Sequence, residues 1–416
     1  MKSIAGNFQK FKDIFEFARK NSKFYSRQYR DIETIDLDNL TTIPATSRDS
    51  FYQFSPPENT DMMTGPMKSG YFTRSGGTSG KEKYAFTTYD EVEIGAKLLG
   101  NMLCLNGINE NDTVANLFMP GHMYSAFSSI SISLNHTGCV QLPIGANCEP
   151  DEIINYLLAF NPNVILAVPS LLMGLANLVE TNSLPLKVEK LGYAGEHLNE
   201  SSREYLKNIL GVKSIFSLGY AAVDTGIIGF QDSSCHGSIH KIPTDHVLVE
   251  IIDPNTAEHV DLGVEGEIIV TNLFRKRIPV IRYHVGDCGL LTMEGDEFLL
   301  KLLGRAGNNI MICGYEVSLS VFSNILSEFE LESSFQLVID AKGPKIHLKV
   351  MYESPSEKKE LKSEFLRDCL IETSEIFAKM FQAEILLPLE IQWKKPGTLE
   401  KNKASGKMKK VIDNRS

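Results

Sequence analysis

The spacing of apolar positions changes several times along the chain, and each change marks a different kind of element. From residue 7 to 30, Phe8, Phe11, Ile14, Phe15, Phe17 and Ala18 recur at helical spacing among basic and polar residues. That pattern predicts an amphipathic helix packed on the main body. An acidic stretch, Asp31 to Asn39, then leads to an extended connector at Ile43-Pro44. Two β-like segments, Gly70-Tyr-Phe-Thr and Tyr84-Ala-Phe-Thr-Thr, flank a polar loop and predict a hairpin. Thr88-Tyr-Asp-Glu91 fits a capping box, and Val92, Leu98, Leu99, Met102 and Leu103 supply one buried face of the helix it would start.

Farther on, short apolar runs alternate with helical patterns. The runs are Val114-Ala-Asn-Leu-Phe-Met, Val164-Ile-Leu-Ala-Val, Leu191-Gly-Tyr-Ala and Ile215-Phe-Ser-Leu. The helical patterns are Asp151 to Phe160, Ser170 to Glu180 and Glu200 to Leu210. Such alternation implies a parallel sheet covered on both faces, with ligands at the C-terminal ends of its strands. From Val247 the character is β only: Val247 to Asp253, Glu267 to Leu273 and Phe298 to Leu303. After Gly304 come Phe335 to Asp340, Ile346 to Tyr352, a helix from about Ser356 to Met380, and Glu384 to Trp393. The expected fold class is α/β. A large N-terminal α/β domain with parallel sheets and a β subdomain would span residues 1–304, and a small C-terminal α+β domain residues 305–416.

Composition narrows the function. With 43% hydrophobic and 23% charged residues, the 416-residue chain reads as an ordinary globular protein. A formal charge of −10 argues against a nucleic-acid partner, which would need a basic face. The N-terminal segment lacks a signal-peptide core and no run approaches about 18 apolar residues, so no membrane association is expected. Seven cysteines without a C-x-x-C fit a reducing compartment, and the expected location is cytoplasmic.

The chemistry begins in the hairpin loop. Ser75, Gly76, Gly77, Thr78, Ser79, Gly80 and Lys81 combine backbone freedom, hydroxyls and positive charge, which suits a polyphosphate. The spacing is not that of a Walker loop: Gly76 and Gly80 are one residue too close, and Glu82 stands where Ser or Thr should follow the lysine. Polar motifs sit at strand ends: Gly195-Glu196, then Gly219-Tyr220-Ala221-Ala222-Val223-Asp224. Tyr220 offers a flat stacking face, and Asp224 an oxygen for a metal or a base. In Tyr283-His284-Val285-Gly286-Asp287, a carboxylate at a glycine turn suits ribose hydroxyls. Gly304-Arg305 opens the last part, and Lys407 lies in a lysine-rich tail.

In this order the motifs resemble those of the adenylate-forming superfamily (acyl-CoA synthetases, peptide-synthetase adenylation domains, luciferases). The run Gly304 to Gly314 keeps the spacing seen in the phenylacetate–CoA ligase-like branch. The resemblance covers roughly residues 70 to 410. It implies ATP-dependent activation of a small carboxylic acid as an acyl-adenylate, with release of pyrophosphate. Transfer to a thiol would follow, on CoA or on the phosphopantetheine of an acyl carrier protein. The Ser75–Lys83 loop would cradle the β- and γ-phosphates, Gly195 and Glu196 would lie by the nucleotide, and Tyr220 with Ala221 would pack on adenine. Asp224 would hold Mg²⁺, Asp287 the ribose, and Arg305 the ribose or phosphate region. Lys407 would reach the reacting carboxylate from a C-terminal domain that must be mobile, because a lysine cannot stay in the site while a thiol enters.

The chain departs from the family pattern at Ala221, Val223 and Asp224, where Gly, Ser or Thr, and a longer acid are common, and at Gly307, where the hinge is often Asp. The family's acyl pocket corresponds here to Gly121-His122, Tyr124, Phe127, Tyr193 and Gly219, an aromatic and nearly neutral lining. No acid stands ready for an α-ammonium group, which favours an aryl or other non-amino acid. His122 would contact the substrate carboxylate or simply stand as a polar helix-start residue. Cys235 and His240 sit where some members of the branch carry structural zinc; the later C-x-C is missing, and only Cys288 and His246 could complete a set of four. The alternative there is a β-turn with a buried thiol. An amine or protein acceptor, a non-catalytic nucleotide-binding role, and a homodimer are left open by the sequence.

Overall fold

A computed structural model describes residues 6–37, 40–75, 83–195, 198, 200–235, 237–254, 256–305, 309–312, 315–329, 331, 335–342, 345–354, 361–382, 386–401 and 408–414. Two compact units emerge: Met1–Asp112, Phe118–Gly145 and Phe216–Ala306 form one, and Thr113–Leu117, Ala146–Ile215 and Gly307–Ser416 the other.

In the first unit the predicted N-terminal helix is two helices, Phe8–Asn21 and Lys23–Gln28. The break falls at Ser22, whose extended backbone lets its hydroxyl accept the Tyr25 N–H and cap the second helix. Phe11, Ile14, Phe15 and Ala18 form the buried stripe, as their spacing predicts. Phe15, Tyr29 and Tyr25 stack in series, with ring centroids 4.5 and 5.2 Å apart, and the Tyr25 phenol donates to the Pro279 carbonyl. These rings join the core of an antiparallel sheet ordered Ile239–Lys241, Glu297–Arg305, Tyr283–Glu294, Gly266–Asn272 and Val247–Ile252. Each fully buried aromatic contributes about 2–3 kcal/mol, so the helix pair is a major support of this sheet.

The sheet corrects one expectation. Asp287 lies inside the 12-residue strand Tyr283–Glu294, not at a turn between elements. Ile269 pairs with His284 and Glu267 with Cys288, so Val285, Gly286 and Asp287 stand against Ile268 alone. That is a β-bulge, and Gly286 supplies the positive φ, +83°, that it needs. Arg282, just before the strand, is a structural residue: its buried guanidinium donates to Glu250 at 3.0 Å.

The second unit holds the parallel strands Thr113–Asn116, Val164–Ala167 and Lys190–Tyr193, with Val114 beside Val164 and Val164 beside Lys190. The helices Pro150–Phe160, Pro169–Thr181 and Glu200–Leu210 fall where the spacing predicts them. A separate sheet runs Glu390–Lys394, Lys345–Glu353, Phe335–Lys342, Val411–Asp413. The long helix expected from Ser356 is two helices, Ser363–Thr373 and Glu375–Gln382, separated by the extended Ser374. Gly397 (φ +80°) comes so close to Gly174 that a Cβ would sit 2.5 Å from the Gly174 Cα. No helix among the described residues is long and apolar enough to cross a membrane.

Candidate active site

The hairpin is present as read: Gly70–Ser75 pairs antiparallel with Lys83–Thr88, from Gly70 opposite Thr88 to Ser75 opposite Lys83. Its loop, Gly76, Gly77, Thr78, Ser79, Gly80 and Lys81, lies outside the described residues, as do Glu196 and Lys407. Arg305 is placed by its backbone, across from Asp287 in the sheet. The predicted capping box also forms: the Thr88 N–H donates to Glu91 Oε2 (3.0 Å), and the Glu91 N–H to Thr88 Oγ1 (3.4 Å). Glu91 does more than cap. It is 6% exposed, and its Oε1 accepts the N–H groups of Lys276 and Arg277, both at 2.7 Å.

Asp224 follows the short strand Tyr220–Ala222 and is 4% exposed. Its Oδ2 accepts hydrogen bonds from the Tyr52 phenol (2.9 Å) and from the Tyr283 phenol. Burial and the adjacent Asp224 charge push the Tyr283 pKa far up, which keeps its hydroxyl a donor. Burial works against the Arg48 cation, yet Tyr283, Asp224 and Tyr52 hold its pKa above the usual value. Arg275 reaches the same turn, donating to the Asp224 carbonyl oxygen, and Asn272 donates to the Thr225 carbonyl (2.9 Å). Asp287 accepts the Tyr220 phenol at 2.6 Å on Oδ2. The preceding Gly219 must be glycine: at φ +110°, a Cβ would lie 2.5 Å from the Gly229 carbonyl.

Asp224 with the Tyr52 and Tyr283 phenols, and Asp287 with the Tyr220 phenol, thus form two hydrogen-bonded sets in the first unit. Tyr283 stands four residues before Asp287 on the same strand, so one bulged segment serves both carboxylates. Asp224 Oδ1 has no hydrogen-bond partner among the described residues, leaving a hard oxygen of the kind Mg²⁺ prefers. Tyr52, Arg48, Glu91 and Arg275 were not singled out as site residues from sequence. Glu91 was visible only as a cap, and the other three lie in stretches without a motif.

Among the described residues no three His, Cys, Asp or Glu side chains gather to hold a metal. Cys235 Sγ faces Asp232 (3.7 Å), His240 Nδ1 faces the Ser238 carbonyl (3.0 Å), and the His246 ring meets Phe274 edge-on. Lys241 pairs with both Asp232 (2.9 Å) and Glu297 (2.8 Å), cross-linking the segment by charge.

The expected acyl-pocket residues divide. Gly121, His122 and Met123 are consecutive left-handed residues (φ +76°, +49° and +60°), an arrangement costly for the two that carry side chains. The turn leads into the helix Ser125–Leu134, which carries Phe127, and the Arg74 N–H donates to the Met123 carbonyl at 2.8 Å. The Arg74 guanidinium lies 4.8 Å from the Tyr124 ring centre, at the root of the hairpin loop. Tyr193 ends a parallel strand in the second unit, where Arg203 donates to its phenol (2.6 Å) and lies over its ring. Gly195, two residues on, has φ +86°.

The AMP-binding enzyme family matches residues 30–273. Indoleacetate–lysine synthetase of Pseudomonas savastanoi is 25% identical over 304 residues, 72% of this chain and 70% of that protein. Phenylacetate–coenzyme A ligase of Thermus thermophilus is 24% identical over 359 residues, 82% of this chain and 79% of that protein. The crystal structure of 2-hydroxyisobutyryl-CoA ligase in its postadenylation state, bound to 2-HIB-AMP, superposes with a TM-score of 0.75 at 16% identity, covering 98% of this chain and 88% of that one. With the hairpin, the Asp224 turn and Asp287 all in the expected chain order, this chain belongs to the AMP-binding enzymes of the adenylate-forming superfamily, in a phenylacetate–CoA ligase-like branch.

Proposed function

We propose that the protein is an AMP-forming acid–thiol ligase, activating a small aryl or related carboxylic acid with ATP and passing the acyl group to CoA. In the first half-reaction a carboxylate oxygen attacks the α-phosphorus, the bond to the bridging oxygen breaks, and pyrophosphate leaves. Two anions meet in that step, so positive charge and oriented donors lower its barrier. The Ser75–Lys83 loop receives the β- and γ-phosphates, Tyr220 and Ala221 pack on adenine, Gly195 and Glu196 contact the nucleotide, and Asp287 with Arg305 takes the ribose side. Asp224, through its Oδ1, would hold Mg²⁺, which when bound would supply Lewis-acid charge at phosphate oxygens. Lys407 bridges the carboxylate and the α-phosphate. In the second half-reaction the thiol sulfur attacks the acyl carbon, loses its proton, and AMP departs. Residues 305–416 act as the mobile part that withdraws Lys407 before the thiol enters.

The observation that carries this reading is the Asp224 turn, where a buried carboxylate is oriented by two phenols beside the hairpin of the phosphate loop. The aromatic, acid-poor segment around Tyr124 and Phe127 supports an aryl acid. The test is exchange of labelled pyrophosphate into ATP across a panel of acids beginning with phenylacetate. Product analysis with CoA, a carrier-protein phosphopantetheine and lysine follows. Acid-dependent exchange with thioester as product is expected. A stable amide with lysine and no thioester would replace the thiol by an amine, and absence of exchange with every acid would remove the activity.

A further inference from the structure

Arg275 lies between the strands Gly266–Asn272 and Tyr283–Glu294, in no recognisable motif, and is 3% exposed. Its guanidinium spans two elements. Nη1 donates to the Asp224 carbonyl, while Nη2 donates to the Phe86 carbonyl (2.9 Å) and to Thr87 Oγ1 (3.0 Å). Phe86 and Thr87 belong to the arm Lys83–Thr88 of the hairpin that carries the glycine loop. Glu91 makes a second tie: Oε2 holds the Thr88 N–H at the end of that arm, and Oε1 holds the N–H groups of Lys276 and Arg277.

This is an expensive way to fill a core. A buried guanidinium gives up hydration that its partners must replace, and Arg275 Nε has no partner among the described residues. Burial depresses the Arg275 pKa, with Glu91 and Asp224 acting in the opposite direction. An apolar side chain could fill the space, but it could not hold two backbone carbonyls on different elements at a fixed separation.

We infer that Arg275 is a positioning residue which, braced by Glu91, fixes the phosphate-loop hairpin relative to Asp224, so that loop and metal carboxylate meet the β- and γ-phosphates of one nucleotide together. The inference deepens the ligase reading and rests on it. A nucleotide without those phosphates should not sense the brace.

The test is titration calorimetry of the full-length protein with ATP plus Mg²⁺ and, separately, with AMP. Arg275→Lys keeps the charge but loses the fork, so it can satisfy one element and not both. Its Kd for MgATP should rise about tenfold, with Kd for AMP within about twofold of wild type. Glu91→Gln, milder and available if the first variant fails to fold, should shift the two affinities in the same unequal way by about threefold for MgATP. Equal weakening of both ligands would make Arg275 merely structural and overturn the inference, as would an unchanged affinity for MgATP. A wild-type protein that binds neither nucleotide overturns the ligase reading itself, and the inference falls with it.

Discussion

The wall around Asp224 and the turn at His122 are built in opposite ways. Asp224, Glu91 and Arg275 are at most 6% exposed, and each makes several hydrogen bonds to other elements. The turn at Gly121, His122 and Met123 is exposed, and its left-handed backbone bends without burial to hold it. A buried network tied to several elements is rigid, as stabilising charge during phosphoryl chemistry requires. An exposed, strained turn can change shape at little global cost, as would suit the acid-selecting segment that the resemblance assigns to it. The contrast suggests that nucleotide chemistry is held constant while acid selection is left adjustable.

The largest effect that sharpens this contrast is expected from Lys407→Ala. Pyrophosphate exchange should fall about a thousandfold, while thioester formation from a supplied acyl-adenylate stays within about threefold. Equal losses in both would contradict a lysine that serves one half-reaction. Asp224→Asn should lower exchange about a hundredfold at saturating acid, whereas His122→Ala should raise KM for the acid severalfold and leave KM for ATP unchanged. If the His122 variant disturbed ATP as much as acid, the separation between the two regions would not hold.

Stability should follow the same division. Tyr283→Phe leaves Asp224 with one phenol fewer and should cost about 1–2 kcal/mol in denaturant unfolding. His122→Gly removes the strain of a left-handed residue and should gain about 0.5–1 kcal/mol by the same measurement. The smallest effect concerns pH. Burial alone would raise the Asp232 pKa, but hydrogen bonds from Ser234 and Lys241 win and bring it to about 2. A depressed folded pKa stabilises above the ordinary carboxylate value, and the contribution is lost as pH falls toward 2. Asp232→Asn should therefore lower the unfolding free energy at neutral pH and flatten its fall between about pH 4 and 2.

Much of the nucleotide side was legible because it is written in local rules. The Thr88–Glu91 box, the hairpin arms and the strand–helix alternation from Val114 to Ile215 all depend on neighbours in sequence. The glycine before Asp287 was visible, but its use was not. Whether a positive-φ glycine makes a turn or a bulge depends on the partner strand, here Gly266–Asn272. Tyr52 and Arg275 were invisible for a related reason. Tyr52 lies 172 residues from Asp224, and Arg275 lies 189 from Phe86, so only tertiary packing joins them. Ser22 and Ser374, which break the two longest predicted helices, show how a hydroxyl residue can interrupt an otherwise periodic stretch.

The central claim is that this wall serves adenylation. Exchange of labelled pyrophosphate into ATP, measured with and without each acid of a broad panel, tests it most directly. The account predicts exchange that depends on an aryl or related carboxylic acid and on Mg²⁺. No exchange with any acid, or release of phosphate in place of pyrophosphate, would contradict it.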